Sequence, residues 1–395
     1  MTIILIIIGI VLIIGYAMLI LYYRQCWLQV PSYQTPVTES KISAKEESIT
    51  ITIIIPARDE ERNMATCLQA IIGQTYPANL FEVIVVDDHS TDKTAAIVQS
   101  FHQKNIHCIF LKDHVTDTIN SYKKKAIEVA IAASTGDLIV TTDADCFMDK
   151  NWLQTIAKFY KSYRPAFIAA PVAINNGNSF LSIFQSLDFM TLQGITGASV
   201  YKKLHSMCNG ANLAYEKKAF MEVGGFKGID TIASGDDMLL MHKIFKRYPE
   251  RVLFLKSKDA IVHTQPMRNW KSFFNQRIRW ASKADKYNDK RILPVLMLVY
   301  FFNLFLLLLP VIAVFSHLVF TIFFYRAPLF YYWLLLLFLK TVVELYFLHP
   351  VADFFGKKNI LWWFPVAQPF HIVYTVIAGW LGKFGSYQWK DRKVK

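Results

Sequence analysis

The sequence predicts an α/β domain with a mostly parallel sheet, preceded by one apolar membrane helix and followed by two to three more. Three observations carry this. Between residues 49 and 145, β-branched runs alternate with segments of helical apolar spacing, the pattern of a parallel sheet with helices on both faces. Three of those runs end in polar, acid-rich clusters, and open sheets of this kind bind ligands beyond the carboxyl ends of their strands. Apolar residues concentrate at the two chain ends. Of 395 residues, 53% are hydrophobic and 18% are charged, against about a quarter charged in an ordinary soluble protein.

The elements follow in order. Thr2 to Tyr23 is apolar and uncharged. At a rise of about 1.5 Å per residue it can cross a hydrocarbon core of about 30 Å. No basic residue precedes it and no small-residue cleavage site follows, so residues 1–24 read as an anchor and not a signal peptide. Arg24 comes next, and the positive-inside rule then sets the rest of the chain in the cytoplasm. Residues 25–48, with Pro31 and Pro36, read as a polar linker. Residues 49–267 have the composition of a globular domain, and the expected localisation is a multi-pass membrane protein with this domain cytoplasmic.

Ile49 to Ile55 reads as a central strand ended by Pro56, with a helix over 60–74. Glu82 to Val86 is the second strand, and Ser90 or Thr91 caps the helix after it. Ile106 to Leu111 is the third strand, 125–133 a helix, and Leu138 to Thr142 the fourth strand. Phe180 to Tyr201 reads as an amphipathic helix at a membrane surface. Residues 268–291 form an interfacial helix with Trp270, Phe273 and Phe274. Apolar stretches at 292–324, 329–348 and 360–381 supply the C-terminal membrane helices within 292–382. The last of these contains Pro365, Gln368, Pro369 and His371; either it is re-entrant or interfacial, which keeps the basic tail 383–395 in the cytoplasm, or it is a fourth full span and the tail breaks the positive-inside rule. Five scattered cysteines without a CxxC pair exclude a disulfide framework or zinc site and read as reduced thiols. The absence of GxGxxG and P-loop motifs removes dinucleotide oxidoreductase and P-loop readings.

Four clusters carry chemistry. Asp143 and Asp145, at i and i+2 after a strand, can reach one hard divalent cation, Mg2+ or Mn2+; a solvated acidic turn is the bland alternative. Asp87 and Asp88 end the second strand, where a carboxylate can accept hydrogen bonds from a nucleobase or ribose; Asp87 equally suits the turn itself. Asp236 and Asp237 precede an amphipathic helix, where acids favour the macrodipole and can also act as a general base. Gln276, Arg279 and Trp280 share one helix face: an amide, a planar cation suited to a diphosphate, and a ring.

Taken together, Pro56-Ala57-Arg58-Asp59-Glu60, Asp87-Asp88-x-Ser90-x-Asp92, Asp143-Ala144-Asp145, Gly235-Asp236-Asp237 and Gln276-Arg277-x-Arg279-Trp280 resemble the membrane-bound family 2 glycosyltransferases, the group of the cellulose, chitin and hyaluronan synthases and ceramide glucosyltransferase. The resemblance spans residues 49–286. It implies a GT-A fold and an inverting, metal-dependent transfer of a sugar from a nucleotide-sugar donor, usually UDP-linked. It implies Pro56, Arg58, Glu60 and Asp88 around the nucleotide, Asp143 facing the donor, and Asp145 on the metal. Asp237 matches the catalytic base, with Asp236 where the family often has glutamate, so the role lies between the two. Gln276, Arg279 and Trp280 match the motif at the diphosphate and acceptor. Gly210 and Asn212 fall in a segment resembling the acceptor side. Among Lys123, Lys124 and Lys125, Lys124 or Lys125 approaches the donor; Lys125 is the residue assigned, and the others form a solvated face.

The acceptor expected is a lipid or lipid-linked molecule at the cytoplasmic face. A processive polysaccharide synthase is the runner-up, for which three or four spans make a scanty channel. A transporter, or a silent subunit that binds a nucleotide sugar, are the readings from other classes. A net charge of +13 fits an anionic donor and a membrane surface better than nucleic acid.

Overall fold

The computed structural model describes residues 2–34, 48–115, 119–175, 177–232, 234–283, 289–320, 328–384, 387–389 and 392–394. Most of the polar linker and part of the basic tail lie outside them.

The chain opens with α1 (Thr2–Gln29), so the first residues of the expected linker continue the helix. The α/β domain then runs β1 (Ile51–Ala57), α2 (Met64–Ile72), β2 (Phe81–Asp87), α3 (Thr94–Gln99), β3 (Ile106–Phe110), α4 (Tyr122–Ala133), β4 (Leu138–Thr141) and β5 (Phe147–Met148). It continues with α5 (Trp152–Tyr163), β6 (Phe167–Ala169), β7 (Val172–Ile174), α6 (Phe180–Lys202), β8 (Leu213–Glu216), α7 (Lys217–Glu222), α8 (Met238–Arg247), β9 (Val252–Phe254) and β10 (Val262–Thr264). In the segment expected to be interfacial, 268–291, the helix is α9 (Trp270–Ala281), and residues 284–288 lie outside the described ones. Then come α10 (Leu293–Phe320), α11 (Pro328–Phe354), α12 (Phe364–Phe384) and the hairpin β11 (Tyr387–Trp389)–β12 (Arg392–Val394).

Seven strands form the main sheet in the order β3-β2-β1-β4-β8-β6-β9. β1 pairs parallel to β2 and β4, and β2 parallel to β3, while β8 runs antiparallel to β4 and β6. Pro56 does not end β1 as expected. Pairing with β4 stops at Ile54↔Thr141, so Pro56 lies past that ladder and its missing N–H breaks no bond to β4. Alternation sorts the strand residues into two cores. Ile53, Ile55, Val83, Val85 and Val140 face one, with α2 and α5; Ile54, Ile84, Val86 and Ile139 face the other, with α4 and α8. That second core is continuous with α1, α6, α10, α11 and α12.

Among the described residues, four helical segments are long and apolar enough to cross a membrane: Thr2–Gln29, Lys290–Val314, Leu329–Phe354 and Lys358–Phe384, with mean hydropathy 3.2, 2.6, 1.7 and 1.3. The fourth packs unlike the others. Trp270 meets Phe370 and Phe273 meets Tyr374, with ring centroids 5.7 and 5.3 Å apart. A Cβ on Gly382 would come within 2.7 Å of the Ala281 Cβ, so glycine allows this close approach. Residue numbers rise together, so α12 runs alongside α9 for the whole of α9. Its other face exposes Val366, Val373, Ile377 and Trp380, an apolar stripe at helical spacing.

The expectation for α6 is corrected. This helix is not a surface amphipathic element: it packs on α1, α11, β7 and β9. Its polar residues Gln185, Asp188, Gln193 and Ser199 are buried along with Phe184, Leu187 and Met190. The apolar spacing of an interfacial helix and of a buried one is the same; only the partners differ.

Candidate active site

Because β2, β1 and β4 are neighbours, their carboxyl ends bring the three polar clusters to one edge. Pro56, Arg58, Glu60, Asp88, Asp143 and Asp145 line a single cavity of about 1840 Å³. The two loops that follow β1 and β2 are tied together. Ser90 Oγ accepts from Asp59 N at 3.0 Å, and Asp59 Oδ1 accepts from Thr91 N at 2.8 Å. Asp59 and His89 both have left-handed φ, 51° and 56°, and such outliers persist where surrounding bonds over-determine them. Asp87 serves the turn, accepting from Ser90 N at 3.3 Å. Asp88 lies 2.9 Å from His89 Nδ1; burial raises its carboxyl despite His89 and Arg58. Neither Ser90 nor Thr91 caps α3: Asp92 Oδ1 accepts from Thr94 N at 2.9 Å instead.

Asp143 and Asp145 leave β4 into the cavity wall. Lys123 Nζ donates to Asp143 Oδ1 at 2.7 Å, and Thr264 Oγ1 to Asp145 Oδ2 at 3.3 Å. Burial, with the charges of Asp143 and Glu60, pushes the Asp145 carboxyl up to about 6. Among the described residues no three His, Cys, Asp or Glu side chains gather tightly enough to enclose an ion. Crowded hard oxygens on one side only suit a divalent cation completed by substrate phosphates.

Gly235, Asp236 and Asp237 lead into α8. Gly235 has φ of 85°, a conformation that glycine adopts freely. Asp237 is the N-cap of α8: Oδ1 accepts from Met238 N at 2.7 Å, and Oδ2 from Gly210 N at 3.3 Å. Asp236 is different. Lys123 Nζ lies 3.2 Å from its Oδ2. Burial opposes the Asp236 charge, but Lys123, Lys283 and Lys124 outweigh it and hold the carboxyl below its usual range.

The three consecutive lysines divide. Lys123 bridges Asp143 and Asp236; burial opposes its charge, yet those acids hold its ammonium above the usual range. Lys124 is buried and donates to the carbonyls of Ile229, Ile232 and Ser234, at 2.9, 2.5 and 3.0 Å. Burial pulls it down to about 8. It therefore holds the loop that carries Gly235 to Asp237. Lys125, the residue assigned to the donor, does not line the cavity and lies 3.8 Å from Glu128. The sequence misses Lys123 because three adjacent lysines on a helix point about 100° apart, and only the tertiary fold selects one.

On α9, Gln276, Arg279 and Trp280 all line the cavity, and Arg279 Nη1 lies 3.4 Å from Ser234 Oγ. Asn269 caps this helix, accepting from Ser272 N at 2.9 Å. Arg277 between them is buried and donates to Asp188 Oδ2 at 2.6 Å. On the acceptor side, Gly210 lines the cavity but Asn212 does not. Asn212 is buried, accepts from Trp152 Nε1 at 3.0 Å and donates to the carbonyls of Pro171 and Ala260, both at 2.8 Å. Its assignment to the acceptor is corrected: it ties three elements together.

Residues 52–224 match the family model described as Glycosyl transferase family 2. The probable glycosyltransferase YdaM of Bacillus subtilis is 27% identical over 236 residues, 58% of this chain and 54% of that one. The chain thus spans about half the length of that relative. The beta-monoglucosyldiacylglycerol synthase of Synechocystis is 27% identical over 122 residues, 31% of this chain and 25% of that one. The mannosyltransferase PcManGT of Pyrobaculum calidifontis, solved with GDP-Man and Mn2+, superposes with a TM-score of 0.60 at 19% identity, covering 95% of this chain and 99% of that one. That likeness shows a shared GT-A fold. With the family match over β1 to α7 and the acid clusters at the strand ends, residues 52–224 form a domain of the family 2 glycosyltransferase type.

Proposed function

We propose that this protein moves a sugar from a nucleotide-sugar donor, UDP-linked by family resemblance, to a lipid or lipid-linked acceptor at the cytoplasmic membrane face. One observation carries the lipid reading. The cavity that holds the acid clusters continues without a break along Leu19 and Ile20 of α1, Leu296, Met297 and Phe301 of α10, and Ala378 of α12. A single small-ligand site occupies about 300–1,000 Å³, so about 1840 Å³ leaves room for a second, apolar substrate. The name of the Synechocystis relative points to a lipid acceptor too.

The roles follow from the contacts. Pro56, Arg58, Glu60 and Asp88 receive the nucleotide. Asp145 and Asp143 would hold Mg2+ or Mn2+, which when bound offsets charge on the donor diphosphate. Arg279 and Gln276 bind that diphosphate, and Lys123 bridges Asp143 and Asp236. With Asp236 committed to Lys123, Asp237 is the base, its carboxylate oriented by two backbone N–H groups. Trp280 and Gly210 border the acceptor hydroxyl. The displacement is single and inverts the anomeric centre.

Topology follows from α12. It has the lowest mean hydropathy of the four apolar segments and runs beside α9 with an apolar stripe outward. It lies in the interface and does not cross. Three crossings then leave the C-terminal tail on the side of the catalytic domain, as its basic residues favour.

The test is transfer from labelled UDP-glucose, UDP-N-acetylglucosamine and GDP-mannose in native membranes with Mn2+. Label extractable into chloroform–methanol, one sugar per acceptor, is the expected result. A water-soluble polymer ladder would support a processive synthase instead, and no product from any donor would remove the enzyme reading.

A further inference from the structure

Several basic side chains near the catalytic end are committed to partners. Lys123 bridges Asp143 and Asp236, Lys124 donates to three carbonyls, and Arg277 is bound to Asp188. Lys283 differs. It lies in the turn that ends α9, outside the five sequence motifs, with its backbone N–H on the Trp280 carbonyl at 3.4 Å. Only 9% of the residue is exposed, and it lines the cavity. Among the described residues its ammonium makes no hydrogen bond and no ion pair. It is not sealed in, as Arg277 Nε is, but open to the cavity.

Two contacts say where it reaches. Arg279 stands one helical turn earlier, and its Nη1 lies 3.4 Å from Ser234 Oγ. A Cβ on Gly235 would come 4.0 Å from Lys283 Cδ, so the lysine stem passes over Gly235. Both cations therefore extend over the turn that leads into Asp236 and Asp237. Like charges four residues apart repel, and a buried charge without a close partner is costly. Burial pulls the Lys283 ammonium below the usual lysine range, and Arg279 and Lys123 add to this against the pull of Asp237 and Asp236. An anion with several oxygens, set between Arg279 and Lys283, would relieve both costs.

We propose that Lys283 is a further catalytic residue: its ammonium contacts the β-phosphate of the donor beside Arg279 and meets the charge that forms there as the sugar leaves. This rests on the nucleotide-sugar reading above and adds a residue to it. The β-phosphate is the partner because Asp237 serves the anomeric carbon, and the β-phosphate is the group bound to that carbon. In the step, the acceptor oxygen bonds the anomeric carbon and its proton goes to Asp237. The bond from that carbon to the β-phosphate oxygen breaks, and the electron pair stays on the oxygen. Lys283 keeps its proton and acts by charge, as a compact cation does on phosphate.

The experiment titrates UDP, GDP, UMP and GMP into the purified full chain in detergent with Mg2+, by calorimetry. Lys283→Met should weaken the diphosphate that the wild type prefers by about tenfold, the size of one charge-assisted hydrogen bond, and its monophosphate by less than about twofold. Lys283→Arg keeps the charge and should keep most of the affinity. Without nucleotide, Lys283→Met should melt above the wild type, because it removes a buried cation that has no close partner. A melting temperature below the wild type would make Lys283 a structural counter-ion of Asp236 and Asp237 and overturn the proposal. Unchanged diphosphate affinity, or an equal loss for diphosphate and monophosphate, overturns it too and leaves the donor reading intact. If the wild type binds neither diphosphate, the donor reading itself falls and the proposal with it.

Discussion

At the strand-edge end of the cavity, Asp143, Asp145, Asp236 and Asp237 lie around Lys123 and Lys283; at the helical end, Arg277 has Asp188 at 2.6 Å and Lys340 has Glu344 at 2.8 Å. The first end carries surplus acid, and burial already pushes Asp145 up to about 6. That surplus is what the proposed Mg2+ or Mn2+ would offset. At the second end the two ion pairs are buried and satisfied within the chain. Acid at one end therefore bears on chemistry, and paired charge at the other on stability.

The largest break in that contrast is Asp237→Asn. An amide cannot take the acceptor proton, so transfer falls by about 10²- to 10⁴-fold. The asparagine oxygen still accepts from Met238 N, while the bond from Gly210 N is lost, costing about 1 kcal/mol. Donor binding by calorimetry should survive. Transfer within a few-fold of wild type would move the base role to Asp236.

Two arginines two residues apart sharpen the comparison next. Arg277→Met leaves Asp188 buried without its cation, a loss of about 3–5 kcal/mol that thermal unfolding in detergent would read. Replacing both, Asp188→Asn with Arg277→Met, should recover part of that loss. Arg279→Met removes no ion pair among the described residues and should spare the melting temperature while raising donor KM. If the two single variants melt alike, the division between recognition and structure on α9 fails.

Lys124 gives a pH signature. Protonated, its three N–H groups serve three carbonyls of the loop before Asp236; the neutral amine has only two. Burial brings its proton loss down to about 8. Turnover should therefore fall as pH rises through about 8. Folding stability from this group moves the other way. Between about 8 and the ordinary lysine value of 10.5 the unfolded chain keeps a proton that the folded chain has lost, so stability rises with pH. Loss of turnover at pH 9 without a drop in melting temperature is the expected pair of results. Lys124→Gln should abolish that alkaline limb at a lower overall rate.

Much of the strand-edge end was legible in the sequence because its signals are local. A β-branched run fixes a strand, alternation fixes its two faces, and acids just past its end fall at the ligand edge: Asp88, Asp143 and Asp145 needed no more than that. Asp237 was legible as a residue before an amphipathic helix, but its separation from Asp236 was not, since Lys123 comes from another element. The helical end was almost illegible. Arg277 reads as one more basic residue in an interfacial helix, and Asp188 as a stray acid in an apolar one. Their pairing joins positions 89 apart. Asn212 failed for the same reason: a buried asparagine that ties Trp152, Pro171 and Ala260 looks, in sequence, like one that faces a ligand.

The smallest expected effect is at Lys125. Its side chain is 42% exposed and its partner Glu128 is three residues on, at 3.8 Å. Exposed pairs of this kind contribute about 0–1 kcal/mol. Lys125→Ala should leave transfer within about twofold of wild type, because an exposed charge outside the cavity is screened from the donor. Lys123→Met, two positions earlier, should not be so mild: it strips Asp143 and Asp236 of a shared cation and leaves four acids facing the donor diphosphate around Lys283 and Arg279. Steady-state rates for the two variants at one donor concentration decide it. A severe loss in Lys125→Ala would mean that α4 turns a different face to the donor, and the assignment of Lys123 as the cation between the acid pairs would fall with it.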